Sequence, residues 1–312
     1  MIRYIAERLL GIIGVLFAVS VLIFFIMHAV PGGPFDGSPA GKSEIPIPEH
    51  IRTRLYAQYG LDQPVFVQYV KYMASALQGD FGVSFRTGEP VTAFIQRTWP
   101  VTMIIAGLSV VIALPIGIAL GVIASLRPDS WLDYLASSFV VLTFVTPTFV
   151  IAILLIIVFS VNFRVLPTGG WGTPQQLIMP VAVYSLGIIG PLARYARSGM
   201  VEALRADYVR TAVSKGLPPR TVNWRHAFRN ASLPLVTLLG PIVVNMLVGS
   251  FFIESIFRIP GIGAEMTVAT YYRDYPVIMA LALLWTALLA GAYLVSDIAY
   301  TYVDPRIRLW RG

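Results

Sequence analysis

The sequence predicts an all-α membrane protein with six transmembrane helices, and three observations carry that prediction. Only 12% of its 312 residues are charged and 56% are apolar, against a charged share of roughly 25% in ordinary soluble domains. Mean hydropathy is +0.73. The 23 Lys and Arg and 16 Asp and Glu also leave long uncharged stretches: Leu9 to Phe35, Thr98 to Leu126, Tyr134 to Phe163, Val165 to Ala193, Asn230 to Ile253 and Tyr275 to Ser296. A helix of about 20 apolar residues spans the ~30 Å hydrocarbon core, and in lipid the backbone polar groups must be satisfied within the segment. Each stretch is long enough to be a span, and a soluble globular domain is excluded.

The first stretch follows Arg3 and Arg8 and closes in His28-Ala-Val-Pro-Gly-Gly-Pro34, so it is longer than a signal-peptide core and reads as an uncleaved span. An N-terminus inside and an even number of spans put both termini in the cytoplasm. The positive-inside rule supports that orientation. Arg3, Arg8, Arg127, the cluster from Arg194 to Arg229 and the tail Arg306, Arg308 and Arg311 fall inside. The outer basic residues are Lys42, Arg52, Arg54, Lys71, Arg86, Arg97, Arg164, Arg258 and Arg273, most of them in one long loop that the rule weights little. The net charge of +7 therefore belongs to the cytoplasmic face of a membrane protein, and nucleic acid is not expected as a partner.

The external loop, Pro31 to Arg97, carries two helical patterns. One runs from Pro48 to Tyr59 and is closed by Gly60; the other runs from Val65 to Gln78 and is closed by Gly79, with Val65, Tyr69, Met73 and Leu77 on one face. It reads as a small helical cap, either a packing lid or a ligand surface. On the second span Ala113, Gly117, Gly121 and Ser125 recur every four residues, the small-xxx-small spacing that lets helix backbones approach closely. Pro115, Pro147, Pro180, Pro191 and Pro241 interrupt the spans and predict bends.

The internal segment from Arg194 to Ser232 holds a helical pattern over Met200 to Lys215, with Val201, Leu204, Tyr208 and Ala212 on one stripe among charges. Gly216 stands where a C-terminal cap belongs, and Pro218-Pro219 forbids continuation. Such an amphipathic helix suits either a membrane surface or the groove of another protein.

Catalytic chemistry is absent from the string. Cysteine is missing, and the three histidines, His28, His50 and His226, have no metal-ligand spacing. Gly37-Ser-Pro-Ala-Gly41-Lys42-Ser43 has three residues between its glycines where a phosphate loop needs four. Glu254 and Asp297 fall at span ends, which argues against an ion-coupled carrier. Thr143 and Thr146 on the third span, and Asn245 and Gly249 one turn apart on the fifth, either line a polar route or serve interhelical packing.

The string Glu202-Ala-Leu-Arg-Ala-Asp207-Tyr208-Val-Arg210-Thr211-Ala212-Val-Ser-Lys215-Gly216-Leu217, followed by Arg225-His-Ala-Phe-Arg-Asn230-Ala-Ser-Leu-Pro234, resembles the cytoplasmic loop of binding-protein-dependent ABC importer permeases. Arg210-Thr-Ala-x3-Gly216 occupies the first half of the pattern E-A-A-x3-G-x9-I-x-L-P. Arg in place of Glu, and Pro234 five residues late, are similar to the branch handling oligopeptides, dipeptides and nickel. Leu61-Asp-Gln-Pro64, Gln68-Tyr69, Gly79-Asp-Phe-Gly82, Ser84, the run Phe251 to Gly263, Arg273-Asp-Tyr-Pro276, Asp297, Tyr300 and Asp304-Pro-Arg306 extend the resemblance over the whole chain. Pro31-Gly-Gly-Pro-Phe35 and Leu166-Pro-Thr-Gly-Gly-Trp171 resemble oligopeptide permeases more than nickel ones.

The resemblance implies a type I importer subunit in the inner membrane, organised as a first span (1–30), an external helical segment (31–97) and a five-helix core (98–312) with a coupling loop at 194–232. It implies a homologous second permease, two cytoplasmic ATPases that carry the ATP and Mg, an external peptide-binding protein and a peptide substrate, with no cofactor or metal on this chain. Val201, Glu202, Leu204, Asp207, Tyr208, Arg210, Thr211, Ala212, Lys215, Gly216 and Leu217 would form the helix that docks in an ATPase cleft. Glu254, Pro260, Gly261 and Gly263 would belong to an external gate loop. Dipeptide or nickel uptake, or an ATP-independent carrier or channel, are the alternatives.

Overall fold

The structure, a computed structural model, describes residues 2–35, 48–126, 128 and 130–303. The Gly37 to Ser43 string, Arg127 and the tail from Asp304 lie outside the described residues. In chain order the helices are α1 (Ile2–Ala29), α2 (Glu49–Gln58), α3 (Val65–Ala76), α4 (Val91–Leu126), α5 (Trp131–Val145), α6 (Thr148–Leu155) continued by a π-helical turn (Ile156–Asn162), α7 (Pro174–Arg205) and α8 (Asp207–Ser214). A second π-helical turn (Val222–Phe228) leads to α9 (Leu233–Leu247), α10 (Phe251–Ile256), α11 (Ile262–Tyr271) and α12 (Tyr275–Val303). Among the described residues, five stretches are long and apolar enough to cross a membrane, or six if the bent pair α5 and α6 is one span.

The chain divides into two compact units: Met1–Val101 with Pro260–Gly291, and Thr102–Ile259 with Ala292–Gly312. In the first unit, Phe24 and Met27 of α1, Tyr69 of α3, Val91 and Phe94 of α4, and Val277 and Leu281 of α12 bury together. The Ser20 and Tyr69 hydroxyls hydrogen-bond at 2.8 Å, and Gln68 Oε1 meets His28 Nε2 at 3.2 Å. The buried face of α3 is thus Tyr69, with Tyr72 and Met73 packed beside it. Val65 and Leu77, expected on the same stripe, are exposed. The helix stops at Ala76, so Leu77 is already its C-terminal cap.

Two strings far apart in sequence meet in this unit. Asp274, 2% exposed, accepts hydrogen bonds from the Ser84 hydroxyl, from Phe85 N at 3.0 Å and from Arg86 N at 3.4 Å. The Arg86 guanidinium then reaches Glu265 at 3.2 Å. A buried carboxylate surrounded by donors is costly to remove, because each donor is left unsatisfied at about 1–3 kcal/mol. Asp274→Ala is therefore expected to destabilise the protein by about 2–4 kcal/mol, read as a lower unfolding temperature in detergent, whereas Arg86→Ala, which breaks only an exposed pair, should shift it by less than about 1 kcal/mol.

In the second unit α4 lies against α7. A Cβ on Gly117 would stand 2.8 Å from Leu192 Cβ, and one on Gly121 would stand 2.6 Å from Ala196 Cβ and 2.9 Å from Arg197 N. Ala113 and Ser125, the other small residues of that row, are buried. Further along, the Ser109 hydroxyl donates to Val181 O and the Ser185 hydroxyl to Ser109 O, each at 3.3 Å. Side chains of ordinary size would hold the helices apart; small ones allow near backbone contact.

Two expected spans are broken. The third is two helices, with axes bent by 101° between Asp133–Thr143 and Thr148–Asn162. Pro147 has no N–H to continue the ladder and pushes the preceding residue out of the α region; Thr146 accordingly has ψ 122°. The fifth stops at Leu247, and Gly249 takes φ +82° before α10 begins. By contrast α7 runs 32 residues through Pro180 and Pro191 without a break, started by a Thr173 and Gln176 capping box with Pro174 in the first turn.

Candidate functional site

The expected helix over Met200 to Lys215 is two helices. Ala206 leaves the α region with φ −72° and ψ 150°, so Arg205 ends α7, and Asp207 opens α8 with an acid at its N-terminus. The reason is burial. Met200 and Ala203 of α7 share one core with Val209 and Ala212 of α8, Val222, Ala227 and Ala231. The corner at Ala206 lets both pairs enter it. The buried stripe is therefore Met200, Ala203, Val209 and Ala212, displaced from the expected Val201, Leu204, Tyr208 and Ala212. Val201 and Leu204 are half-buried on α7, and Glu202 is exposed there. All three lie at the end of α7, not on the same helix as Tyr208 to Ser214 as the sequence pattern predicts.

The C-terminal end of α8 forms as expected. Gly216 takes φ +75°, its N–H donates to Val213 O at 2.9 Å, and Leu217 N donates to Ala212 O at 3.3 Å. This pair of bonds is a Schellman motif, which needs a left-handed residue that glycine adopts without steric cost. With Val209 and Ala212 turned into the core, Tyr208 (41% exposed) and Val213 (59%) stay exposed on the two flanks of that stripe, and Leu217 (36%) is exposed in the cap. Around these apolar groups stand the exposed Asp207, Arg210, Thr211, Ser214 and Lys215. Arg210 lies 3.6 Å from Asp207, both in solvent. The result is an eight-residue helix mounted on a buried core, with a polar outward ridge of Asp207, Arg210, Thr211 and Ser214 between two exposed apolar flanks, Tyr208 and Val213, a shape that suits the groove of another protein.

The mount extends through α7. Arg197 makes a two-pronged ion pair with Asp133 of α5, Nε to Oδ1 and Nη2 to Oδ2 both 2.7 Å. The Asp133 side chain is 5% exposed. Two further glycines bring neighbours onto α7: a Cβ on Gly190 would stand 2.8 Å from Thr143 Oγ1, and one on Gly199 would stand 3.0 Å from Ala231 O. Sequence reading counted Arg197 only among the basic residues of its loop and gave Asp133 no role. The available signal was that Asp133 directly precedes one uncharged stretch and Arg197 follows another by one helical turn, at the same end of two spans.

The remaining site residues are dispersed. Thr143 is buried beneath Gly190 and donates to Phe139 O and Val140 O, each at 3.0 Å. Thr146 caps the C-terminus of α5. Asn245 is exposed on α9, whereas Gly249 lies in the break after it, so the two do not share a helix. Glu254 is not in a loop: it belongs to α10 in the second unit, is fully buried and accepts a hydrogen bond from Thr102 Oγ1 at 2.9 Å. Pro260, Gly261 and Gly263 belong to the first unit, where Gly261 is the N-cap of α11.

An all-helical chain with several apolar spans and a short amphipathic helix on a rigid mount between two of them is the architecture of a transporter's membrane subunit. The chain belongs to the family described as binding-protein-dependent transport system inner membrane component, whose model matches residues 117–309, with the N-terminal model of the same component matching residues 1–106. It is a non-catalytic membrane subunit of the ABC importer type, with ATP hydrolysis residing in separate subunits.

Among its relatives, the dipeptide transport system permease protein DppB of Bacillus subtilis is 38% identical over 310 residues, covering 99% of each chain. The oligopeptide transport system permease protein OppB of Salmonella typhimurium is 35% identical over 311 residues, covering 99% of this chain and all of the relative. A chain from the crystal structure of an amino acid ABC transporter with histidines superposes with a TM-score of 0.55 over 66% of this chain and 92% of its own, at 17% identity. That similarity extends to the fold.

Proposed function

We propose that this chain is one of two permeases in an ATP-driven peptide importer, and that α8 with its Gly216 cap is where a cytoplasmic ATPase engages it. The observation that carries the reading is the exposure of Tyr208, Val213 and Leu217 on a helix whose other face is fixed in the core by Val209 and Ala212. A helix meant only to pack would bury its apolar groups; this one keeps apolar groups exposed on both flanks of a polar ridge, where the walls of a groove can meet them. The apolar residues would enter a cleft on the ATPase, with Arg210 and Lys215 reaching carboxylates at its rim. ATP and Mg sit on the ATPases, and this chain binds neither cofactor nor metal.

Peptide is the substrate assigned because both the loop string at 202–217 and full-length similarity to dipeptide and oligopeptide permeases support it. An external binding protein sets which peptides arrive. The basic cluster from Arg194 to Arg229 places α8 in the cytoplasm, with both termini on that side of the cell inner membrane. The exposed Asn245 is the best candidate among the four polar residues for lining the passage, and Pro260, Gly261 and Gly263 for a gate on the outer side.

The test is Gly216→Val in the assembled transporter. A β-branched residue at φ +75° costs about 1–3 kcal/mol, and the cap that shapes the docking face opens. Peptide uptake and binding-protein-stimulated ATP hydrolysis are both expected to fall by about tenfold while the chain still inserts. Wild-type levels of both would show that α8 does not engage the ATPase.

A further inference from the structure

We propose that the Asp133–Arg197 ion pair makes α5 travel with α7 and α8, so that a displacement imposed on α8 reaches the broken span at Pro147. This rests on the reading of α8 as the ATPase contact and adds the route out of it. Neither residue touches substrate or nucleotide; both act as positioning residues.

Three features of the pair carry the inference. First, its geometry fixes orientation as well as distance. Both carboxylate oxygens are engaged at 2.7 Å by two different nitrogens of the guanidinium, and a planar fork of this kind resists rotation about either side chain. Second, Asp133 is itself immobilised. Its N–H donates to the Ser130 hydroxyl at 3.3 Å in the N-cap of α5, and the Ser137 hydroxyl one turn on donates to its Oδ1 at 3.3 Å. Third, the Asp133 side chain is 5% exposed, against 37% for Arg197, so sliding the helices past each other would leave a buried carboxylate without its cation. An apolar contact in the same place would slip.

The location gives the pair its consequence. Arg197 lies one turn before Met200, the residue that opens the core shared with α8. Since α7 is unbroken from Pro174 to Arg205, motion of α8 enters it directly. Thr143 beneath Gly190 is a second point of contact between α5 and α7, on the far side of the pair from α8. Past Thr143 the chain turns by 101° into α6, which also packs on α7, so the displacement reaches both arms of the broken span. The ion pair is thus the attachment nearest α8 on a helix that packs along α7, and the Thr146-Pro147 corner is where the chain passes on into α6, which packs on α7 in its turn.

The experiment uses the complete transporter in proteoliposomes and reads ATP hydrolysed per peptide imported, a ratio that a merely structural role would leave alone. Asp133→Asn and Arg197→Lys are each expected to retain the ATPases on purification yet raise that ratio about tenfold. Because the natural chain has no cysteine, the doubly substituted Asp133→Cys, Arg197→Cys chain offers a single thiol pair. Joining the two thiols with a short bis-maleimide, which adds one S–H across each of its two double bonds and releases nothing, is expected to bring the ratio back toward wild type, since α5 and α7 need only be held together. An unchanged ratio in the single variants, or less complex with an unchanged ratio, overturns the proposal. So does a cross-link that stops transport, which would mean the two helices must separate. Failure of the wild-type chain to retain any ATPase would instead remove the docking reading beneath it.

Discussion

Gly121→Leu is expected to abolish the folded protein. A Cβ at this position would meet the Ala193 carbonyl oxygen, Ala196 Cβ at 2.6 Å and Arg197 N at 2.9 Å. Two of these three are backbone atoms of α7 and cannot be moved aside by a change of rotamer. Either α4 and α7 separate, opening the row formed by Ala113, Gly117 and Ser125 as well, or the α7 backbone deforms beside the residue that holds Asp133. Overpacking ordinarily costs 1–3 kcal/mol, and with backbone as the obstacle the cost should reach about 3 kcal/mol or more. Gly107 on the same helix has nothing within 4 Å of its would-be Cβ, so Gly107→Leu is the control and should leave yield and unfolding temperature in detergent near wild type. Equal behaviour of the two variants would show that α4 and α7 are not in close contact.

The second large effect is on assembly. Tyr208→Asp combined with Leu217→Asp places two carboxylates on the exposed apolar groups of α8 and its cap, while Val209, Ala212 and the Gly216 cap stay untouched. Since both side chains are exposed, the permease should insert and unfold as wild type does. Central apolar residues of an interface each contribute about 2 kcal/mol or more, and each 1.4 kcal/mol is about tenfold in affinity. Loss of both, about 4 kcal/mol, should weaken ATPase binding by nearly a thousandfold, read as loss of co-purified ATPase. Val209→Asp makes the contrast: it buries a charge in the core under α8 and should lower stability of the chain itself by about 3 kcal/mol.

What the sequence disclosed was local. The row Ala113, Gly117, Gly121 and Ser125 was legible because four-residue spacing is a property of one helix, and its partner needed only to be close. Gly216 followed by Leu217 and Pro218-Pro219 announced the cap for the same reason. The corner at Ala206 had no such signal: residues 200–215 have good helical periodicity, and the chain turns because Met200, Ala203, Val209 and Ala212 find one core shared with Val222, Ala227 and Ala231. The buried positions step back by one residue on α7 and forward by one at Val209 on α8, a change of register that becomes visible when both helices are seen together. At Thr146-Pro147 the proline was read as a bend within a span, but its strength depends on what supports the freed backbone. Asp133 with Arg197, and Ser84 with Asp274, join positions 64 and 190 residues apart; pairings of that range follow from topology, which no window along the chain contains.

Whether the passage opens only under ATP drive is read most directly by uptake of labelled peptide into proteoliposomes, with this chain alone and with its partner permease, ATPases and binding protein added together. The docking role of α8 predicts uptake by the full assembly that stops when ATP is withheld, and none by the chain alone under either condition. Peptide entering liposomes that contain only this chain, without ATP, would contradict it.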